Sequence, residues 1–264
     1  METKETVHVS KHDHLDGIYT LTFNRPNAMN ALSTQMALDI ISSLEELRKK
    51  DDLRVLVITG SGEKSFCVGA DLKERKGMDQ KEWHEQHRIF EQTAEKIRTF
   101  DYPIIAALNG YALGGGLELA LSADIRMAAE HTEVGFPEAK IGIIPGIGGT
   151  QLIPRAISVG IAKEILFRGN RVNAEIAKQL GLVNHIFPSS NLLESTYEIA
   201  SEIARNAPIS LKMIKKAVDT GLQVDINTAL SIELQCYYKC ADSEDRIEGI
   251  ESFNEKRLPQ WKGY

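Results

Sequence analysis

Three consecutive glycines, Gly114, Gly115 and Gly116, run directly into a helix-forming segment that carries Glu118 in its first turn. A glycine run at a helix start lets the backbone turn sharply and come close to a ligand. It also leaves N–H groups without helical partners at the positive end of the helix dipole. Such an N–H can stabilise a carbonyl oxygen that gains negative charge, and a nearby carboxylate can serve as a general base. The segment therefore suggests acyl chemistry; the alternative is a tight turn packed against a sheet, with Glu118 as a dipole partner.

A second loop of similar character lies at residues 65–74, which read SFCVGADLKE. Gly69 and the small Ala70 permit close backbone approach, so the Ala70 N–H is a second candidate donor. Two backbone donors that converge on one oxygen form an oxyanion hole. The alternative is a plain loop that enters a helix with Asp71 as its N-cap.

A third segment places Glu138 after Pro137 and before the glycine-punctuated run IGIIPGIGG at residues 141–149. The run is apolar yet flexible, which suits the wall of a pocket for an apolar acyl group. Taken alone, the segment is better explained as a surface glutamate that follows a proline.

The elements that must position these loops alternate between apolar strands and amphipathic helices. Strands are predicted at 17–23, 53–60, 103–110, 124–131 and 181–187. Helices are predicted at 32–50 with Ser33 as N-cap, and at 80–98, 116–122, 157–167, 174–180, 191–204, 210–219 and 226–238. Strands separated by helices indicate an α/β fold with crossover connections. The pattern predicts an α/β core over residues 1–200 and a helical region over 201–264.

Composition indicates an ordinary globular protein, with 264 residues, 42% hydrophobic residues, 26% charged residues and a net charge of −6. The negative charge disfavours a nucleic-acid partner.

The three cysteines form no CxxC pair, so neither a disulfide framework nor a metal site is expected. The polar N-terminus lacks the apolar core of a secretory signal, and no apolar run reaches 18 residues. We therefore expect a cytoplasmic protein without a membrane partner.

The three chemical segments together resemble the enoyl-CoA hydratase/isomerase (crotonase) superfamily. The resemblance rests on FCVGADLKE at 66–74, NGYALGGGLELALSADIR at 109–126 and FPEAKIGIIPGIGGTQLIPR at 136–155. It implies a crotonase-like spiral of ββα units with a C-terminal helical trimerisation region. It also implies a homo-oligomer, a trimer or a hexamer built as a dimer of trimers. The acyl-CoA thioester would place its carbonyl oxygen between the N–H groups of Ala70 and Gly115.

Hydratases of this family carry two glutamates that hold the reacting water, and this chain has both, as Glu118 and Glu138. The resemblance therefore implies an enoyl-CoA hydratase, which adds water syn to a trans-2-enoyl-CoA and gives a 3-hydroxyacyl-CoA. Glu118 is assigned as the base that activates water, and Glu138 as the acid that protonates C2. No cofactor is expected, since coenzyme A is part of the substrate, and no metal is needed.

The same resemblance implies a set of coenzyme A contacts on three segments. They are Asn27, Ala28, Met29 and Ala31 on the first loop, Val68, Asp71, Leu72 and Lys73 around Ala70, and Phe253 and Lys256 near the C-terminus. The last two would reach the coenzyme A bound to the same or a neighbouring subunit. Family members often have lysine where this chain has Asn27, so one phosphate contact differs here.

Three alternatives remain open at this stage. The segment ADLKERK also resembles 3-methylglutaconyl-CoA hydratases, whose substrate has a distal carboxylate; Lys73, Arg75 and Lys76 are available to bind it. A Δ3,Δ2-enoyl-CoA isomerase is less favoured because both glutamates are retained. One family member binds RNA through a lysine-rich helix, and the lysines at 212, 215 and 216 form a basic patch here.

Overall fold

Two β-sheets and eleven α-helices make up the computed structural model, which describes residues 6–264. The first five residues of the expected core region, including the start of the polar N-terminus, lie outside the described residues. The ten strands are β1 (Val7–Lys11), β2 (Ile18–Phe23), β3 (Val55–Gly60), β4 (Ser65–Cys67), β5 (Ile104–Leu108), β6 (Tyr111–Leu113), β7 (Ile125–Ala129), β8 (Glu133–Gly135), β9 (Arg171–Asn173) and β10 (His185–Phe187).

The helices lie between the strands up to β10 and then follow one another to the C-terminus. They are α1 (Thr34–Leu47), α2 (Leu72–Arg75), α3 (Gln80–Arg98), α4 (Gly115–Leu121), α5 (Gly149–Ala156), α6 (Val159–Arg168), α7 (Ala174–Leu180), α8 (Leu192–Ala204), α9 (Pro208–Gly221), α10 (Ile226–Ala241) and α11 (Glu244–Glu255). Short 3₁₀ turns occur at Pro26–Ala28, Pro137–Ile141 and Ser189–Asn191.

The larger sheet has the strand order β1-β2-β3-β5-β7-β10 and is parallel except for the β1–β2 pair. The smaller sheet has the order β4-β6-β8-β9 and is parallel except for β8–β9. From β3 to β8, each turn of the chain adds a long strand to the larger sheet and a short strand to the smaller one, and a helix or a 3₁₀ turn follows. This arrangement confirms the predicted α/β fold and its spiral of ββα units.

Both faces of the larger sheet are covered, which explains its continuous apolar strands. One face packs with α1, α3 and α4 into the main core, which includes Leu56, Ile58 and Ala106. The other face, with Val55, Val57 and Ile105, packs against α8. The carboxyl ends of β3 and β5 lead into the short strands β4 and β6, so the loops at residues 68–71 and 114–116 emerge side by side from the smaller sheet.

The long elements agree with the predicted ones within a few residues, and Ser33 caps α1 by accepting from the Met36 N–H. The first strand, the four short strands of the smaller sheet and the helices α5 and α11 were not predicted. Strands of three residues carry too little alternation to be recognised, and Pro154 lies inside α5.

The C-terminal helices α9–α11 form a layer that is tied to the core. The Lys215 Nζ donates to Asp124 Oδ2 at 2.8 Å and to the Tyr102 carbonyl at 3.2 Å. Lys212 lies 4.1 Å from the centroid of the Tyr102 ring. Two lysines of the basic patch therefore make contacts within the chain. The expected boundary at residue 200 falls inside α8 and stays a prediction.

Across residues 6–264, no helix is both long enough and apolar enough to cross a membrane.

Candidate active site

The glycine run at residues 114–116 is required by close packing. Gly114 has φ 53° and ψ −126°, a conformation that side chains disfavour, and a Cβ there would lie 2.7 Å from Glu138 Oε1. A Cβ on Gly116 would overlap the carbonyl oxygen of Cys67. The run therefore lets α4 start directly against β4 and leaves space beside Glu138.

The two amides predicted to form an oxyanion hole lie on adjacent loops. Gly69 has φ 91°, and a Cβ built on it would lie 3.2 Å from the Gly115 nitrogen. A Cβ built on Gly115 would lie 3.8 Å from the Ala70 nitrogen. Among the described residues, neither the Ala70 N–H nor the Gly115 N–H donates to a protein acceptor. Two backbone amides without a protein acceptor thus lie close together on adjacent loops.

The loop at Ala70 is also fixed to the loop at residues 27–31. The Leu32 N–H donates to the Gly69 carbonyl at 2.8 Å, and the Asp71 N–H donates to the Leu32 carbonyl at 2.9 Å. Arg25 reinforces this junction, since its guanidinium donates to the Ala31 carbonyl and pairs with Asp71 at 2.9 Å. These contacts hold two of the three segments expected to bind coenzyme A side by side.

Glu118 is almost fully buried in the first turn of α4 and is held by the backbone of the glycine-rich segment. Its Oε1 accepts from the Ile147 N–H at 2.8 Å and from the Gly149 N–H at 2.6 Å. Burial raises the pKa of Glu118, and the backbone hydrogen bonds from this segment oppose the rise. The donors favour the ionised carboxylate, which is the form a general base needs.

Glu138 lies in the 3₁₀ turn after β8 and is also buried. Its Oε2 has no hydrogen-bond partner among the described residues. Burial, with a further contribution from the charge of Glu118, raises the pKa of Glu138 to about 7. A buried carboxyl group near a second carboxylate retains its proton more readily, and the one backbone hydrogen bond to Glu138 opposes this effect only in part.

The two glutamates therefore differ in the way that acid–base catalysis requires. Two backbone N–H groups donate to Glu118 Oε1, whereas Glu138 Oε2 is buried without a partner and the pKa of Glu138 is raised to about 7. Pairs of carboxyl groups with separated proton affinities are the usual way to provide a base and an acid in one site. The pair can remove a proton from one atom and deliver a proton to another.

Comparison with known proteins agrees with this geometry. The profile of the family described as Enoyl-CoA hydratase/isomerase matches residues 13–264. The chain belongs to the enoyl-CoA hydratase/isomerase family. The identification made from the sequence motifs is therefore confirmed.

Individual relatives match over nearly the whole chain. A putative enoyl-CoA hydratase/isomerase of Bacillus subtilis is 43% identical over 92% of this chain and 94% of its own length. A mitochondrial methylglutaconyl-CoA hydratase of Mus musculus is 38% identical over 94% of this chain and 80% of its own. The crystal structure of an enoyl-CoA hydratase from Bacillus anthracis has a TM-score of 0.96 and 40% identity, and covers 98% of this chain and 100% of that one.

For a member of the enoyl-CoA hydratase/isomerase family, the expected coenzyme A residues divide into two groups. Asn27, Ala28, Met29 and Ala31 lie in and after a 3₁₀ turn, beside the loop that carries Val68, Asp71, Leu72 and Lys73. Phe253 and Lys256 lie on and just after α11, and no hydrogen bond among the described residues joins α11 to either loop. Phe253 is 83% exposed. The coenzyme A contacts stay predictions.

Asp71 has a structural role in addition to any ligand contact. Its Oδ1 caps α2 by accepting from the N–H groups of Lys73 and Glu74, and its Oδ2 accepts from Arg25. The capping alternative considered from the sequence therefore describes the side chain correctly.

Sequence analysis missed Arg25 and Asn30 as supports of this family's site. Asn30 is fully buried with φ 53°, and its amide donates to the carbonyls of Ser61 and Ser65 while its Oδ1 accepts from the Arg25 N–H. The signal available was the polar residues of the segment NRPNAMN at 24–30. Within residues 6–264, no cluster of three His, Cys, Asp or Glu side chains is placed to hold a metal ion.

Proposed function

We propose that this protein is an enoyl-CoA hydratase that adds water syn to a trans-2-enoyl-CoA and forms a 3-hydroxyacyl-CoA. The observation that carries the proposal is the buried pair Glu118 and Glu138, one held by two backbone donors and the other with an unpartnered oxygen, close to the free N–H groups of Ala70 and Gly115.

The reaction uses these groups in a defined order. The thioester oxygen accepts from the amides of Ala70 and Gly115, which stabilise the negative charge that develops as an enolate forms. Glu118 removes a proton from water as the water oxygen bonds to C3. Glu138 donates its proton to C2, and both new bonds form on the face of the alkene that the glutamates occupy. Proton exchange through solvent then restores Glu138 as the acid and Glu118 as the base.

The direct test is a hydration assay that follows loss of the enoyl-thioester absorbance of crotonyl-CoA. We expect turnover with formation of 3-hydroxybutyryl-CoA, identified by mass spectrometry as a gain of one water. A 3-enoyl-CoA should be included, because an isomerase would convert it to the 2-enoyl product without adding water. Absence of any hydrated product would reject the proposal.

A second candidate substrate class, enoyl-CoA with a distal carboxylate, is favoured by the environment of Arg75. Of the three cations left open by the sequence, Lys73 and Lys76 are exposed and Arg75 is buried. The Arg75 guanidinium lies 4.1 Å from the centroid of Trp83, and its Nε donates to Gln86 Oε1 at 2.8 Å. It has no ion-pair partner among the described residues. A buried guanidinium without a counter-ion is suited to bind a carboxylate.

Replacing Arg75 by Met tests this candidate. If Arg75 binds the distal carboxylate, kcat/KM for 3-methylglutaconyl-CoA should fall by about 10- to 100-fold, the usual worth of a hydrogen bond to a charged group, with less than about a threefold change for crotonyl-CoA. Lys76→Met is the matched control, since Lys76 is exposed on the same segment. Equal losses for both substrates would assign Arg75 to packing and remove the candidate.

We also propose that the chain assembles into trimers or hexamers in the cytoplasm, acting in fatty acyl metabolism. Support comes from an unusual number of exposed apolar side chains on the last three helices: Ile214, Val218, Leu222, Ile226, Leu230, Leu234, Tyr237, Ile250 and Phe253. An apolar patch of this extent commonly marks a subunit interface. Sedimentation velocity should give a mass of three or six chains, and a monomer would reject the assembly.

A further inference from the structure

A single peptide group links α3 to the carboxylate of Glu118. The carbonyl of Gly146 lies 3.2 Å from His87 Nε2, and the next N–H along the chain, that of Ile147, donates to Glu118 Oε1 at 2.8 Å. The Gly146 C=O and the Ile147 N–H belong to the same planar unit. The two hydrogen bonds therefore form a continuous chain from His87 through one peptide to Glu118.

The surroundings of His87 favour a proton on Nε2. The Glu91 Oε1 lies 3.3 Å from the same nitrogen, and the Gly146 carbonyl can only accept. With two acceptors at Nε2, the imidazole donates from that atom whether the ring is neutral or charged. Donation to the Gly146 carbonyl polarises the peptide and strengthens the N–H that reaches Glu118.

The segment that carries this peptide has little conformational restraint of its own. Gly142, Gly146, Gly148 and Gly149 punctuate it, and Gly148 has φ 128°. The absence of a side chain at Gly146 is needed for the contact, because a Cβ there would lie 2.6 Å from the His87 ring. A glycine-rich segment pays a large entropy cost to hold one peptide orientation, so an external tether has a measurable effect.

We propose that His87 is a positioning residue for hydration. By holding the Gly146–Ile147 peptide, it directs the Ile147 N–H at Glu118 Oε1 and fixes the orientation of this carboxylate. His87 itself touches neither the substrate nor the reacting water. This inference rests on the proposed function, because it assigns Glu118 the role of base.

The test compares His87→Leu, which removes the donor, with His87→Gln, which retains an N–H donor on a flexible side chain. His87→Leu should lower kcat for crotonyl-CoA by about 5- to 10-fold, the worth of one hydrogen bond, with KM nearly unchanged. The acidic limb of kcat/KM should move to higher pH, because the Ile147 N–H, which favours the charged form of Glu118, is no longer held in place. The other carboxyl group that interacts with Glu118 is that of Glu138. His87→Gln should recover most of kcat.

Hydrogen–deuterium exchange of the peptide that covers residues 143–152 gives a readout independent of activity. In His87→Leu this peptide should exchange faster than in the parent protein, and in His87→Gln near the parent rate. His84→Leu is the matched control, because His84 is exposed one turn earlier on α3 and its replacement should change neither the exchange rate nor kcat.

Unchanged exchange and kcat in His87→Leu would overturn the proposal. A loss of kcat in His87→Leu that His87→Gln fails to recover would also overturn it. If the parent protein lacked hydratase activity, the proposed function would fail, and the exchange result would still decide whether His87 holds the peptide.

Discussion

Replacing Glu118 by Gln should lower kcat for hydration of crotonyl-CoA by about 1,000-fold, within the range expected for loss of a general base. The amide is neutral at every accessible pH and cannot accept the proton that water loses as it attacks C3. Its oxygen can still accept from the Ile147 and Gly149 N–H groups, so the segment that surrounds residue 118 should keep its geometry. The loss should therefore appear in kcat, with a small effect on KM.

The measurement is steady-state hydration of crotonyl-CoA together with a thermal melt of each protein. Glu130→Gln is the control, because Glu130 is exposed and lies outside the site. A melting temperature close to that of the parent protein would exclude unfolding as the cause. Hydration by Glu118→Gln at near the parent rate would show that another group activates water.

Replacing Glu138 by Gln should lower kcat by about 100- to 1,000-fold and should also change the shape of the pH profile. The pKa of Glu138 is raised to about 7, so the protonated, proton-donating form is present below pH 7 and is lost as the pH rises above it. The kcat/KM of the parent protein should therefore fall on the alkaline side of pH 7. On the acidic side it should fall as Glu118 becomes protonated.

Gln cannot titrate, so Glu138→Gln should retain its low activity without the alkaline decline. The profile is measured from pH 5 to 9 with crotonyl-CoA, with protein stability checked at each end. Glu133→Gln, at an exposed ion pair with Arg171 on the adjoining strand, is the control and should keep the parent profile. An alkaline decline that persists in Glu138→Gln would assign this limb to a different group.

Much of the fold was predictable because its long elements are locally determined. The apolar strands β2, β3, β5 and β7 and the amphipathic helices α1 and α3 carry enough residues for their periodicity to be recognised. The short strands of the smaller sheet are defined by pairing with chain segments far away in sequence, and their three residues carry no pattern of their own. Even so, these strands place the loops of the candidate site next to each other.

The sequence by itself determined the family, the presence of both glutamates and the backbone donors to be considered, because these depend on residue identity within long motifs. Only the tertiary structure decided which backbone donors lie close together and how the surroundings of the two carboxyl groups differ. The amides of Ala70 and Gly115 lie close together because β4 and β6 are neighbours. Glu118 and Glu138 are the same residue type, and they differ because one accepts from two backbone amides and the other has a buried oxygen without a partner. Proton affinity and the convergence of donors depend on burial and on groups distant along the chain, and those are set by packing.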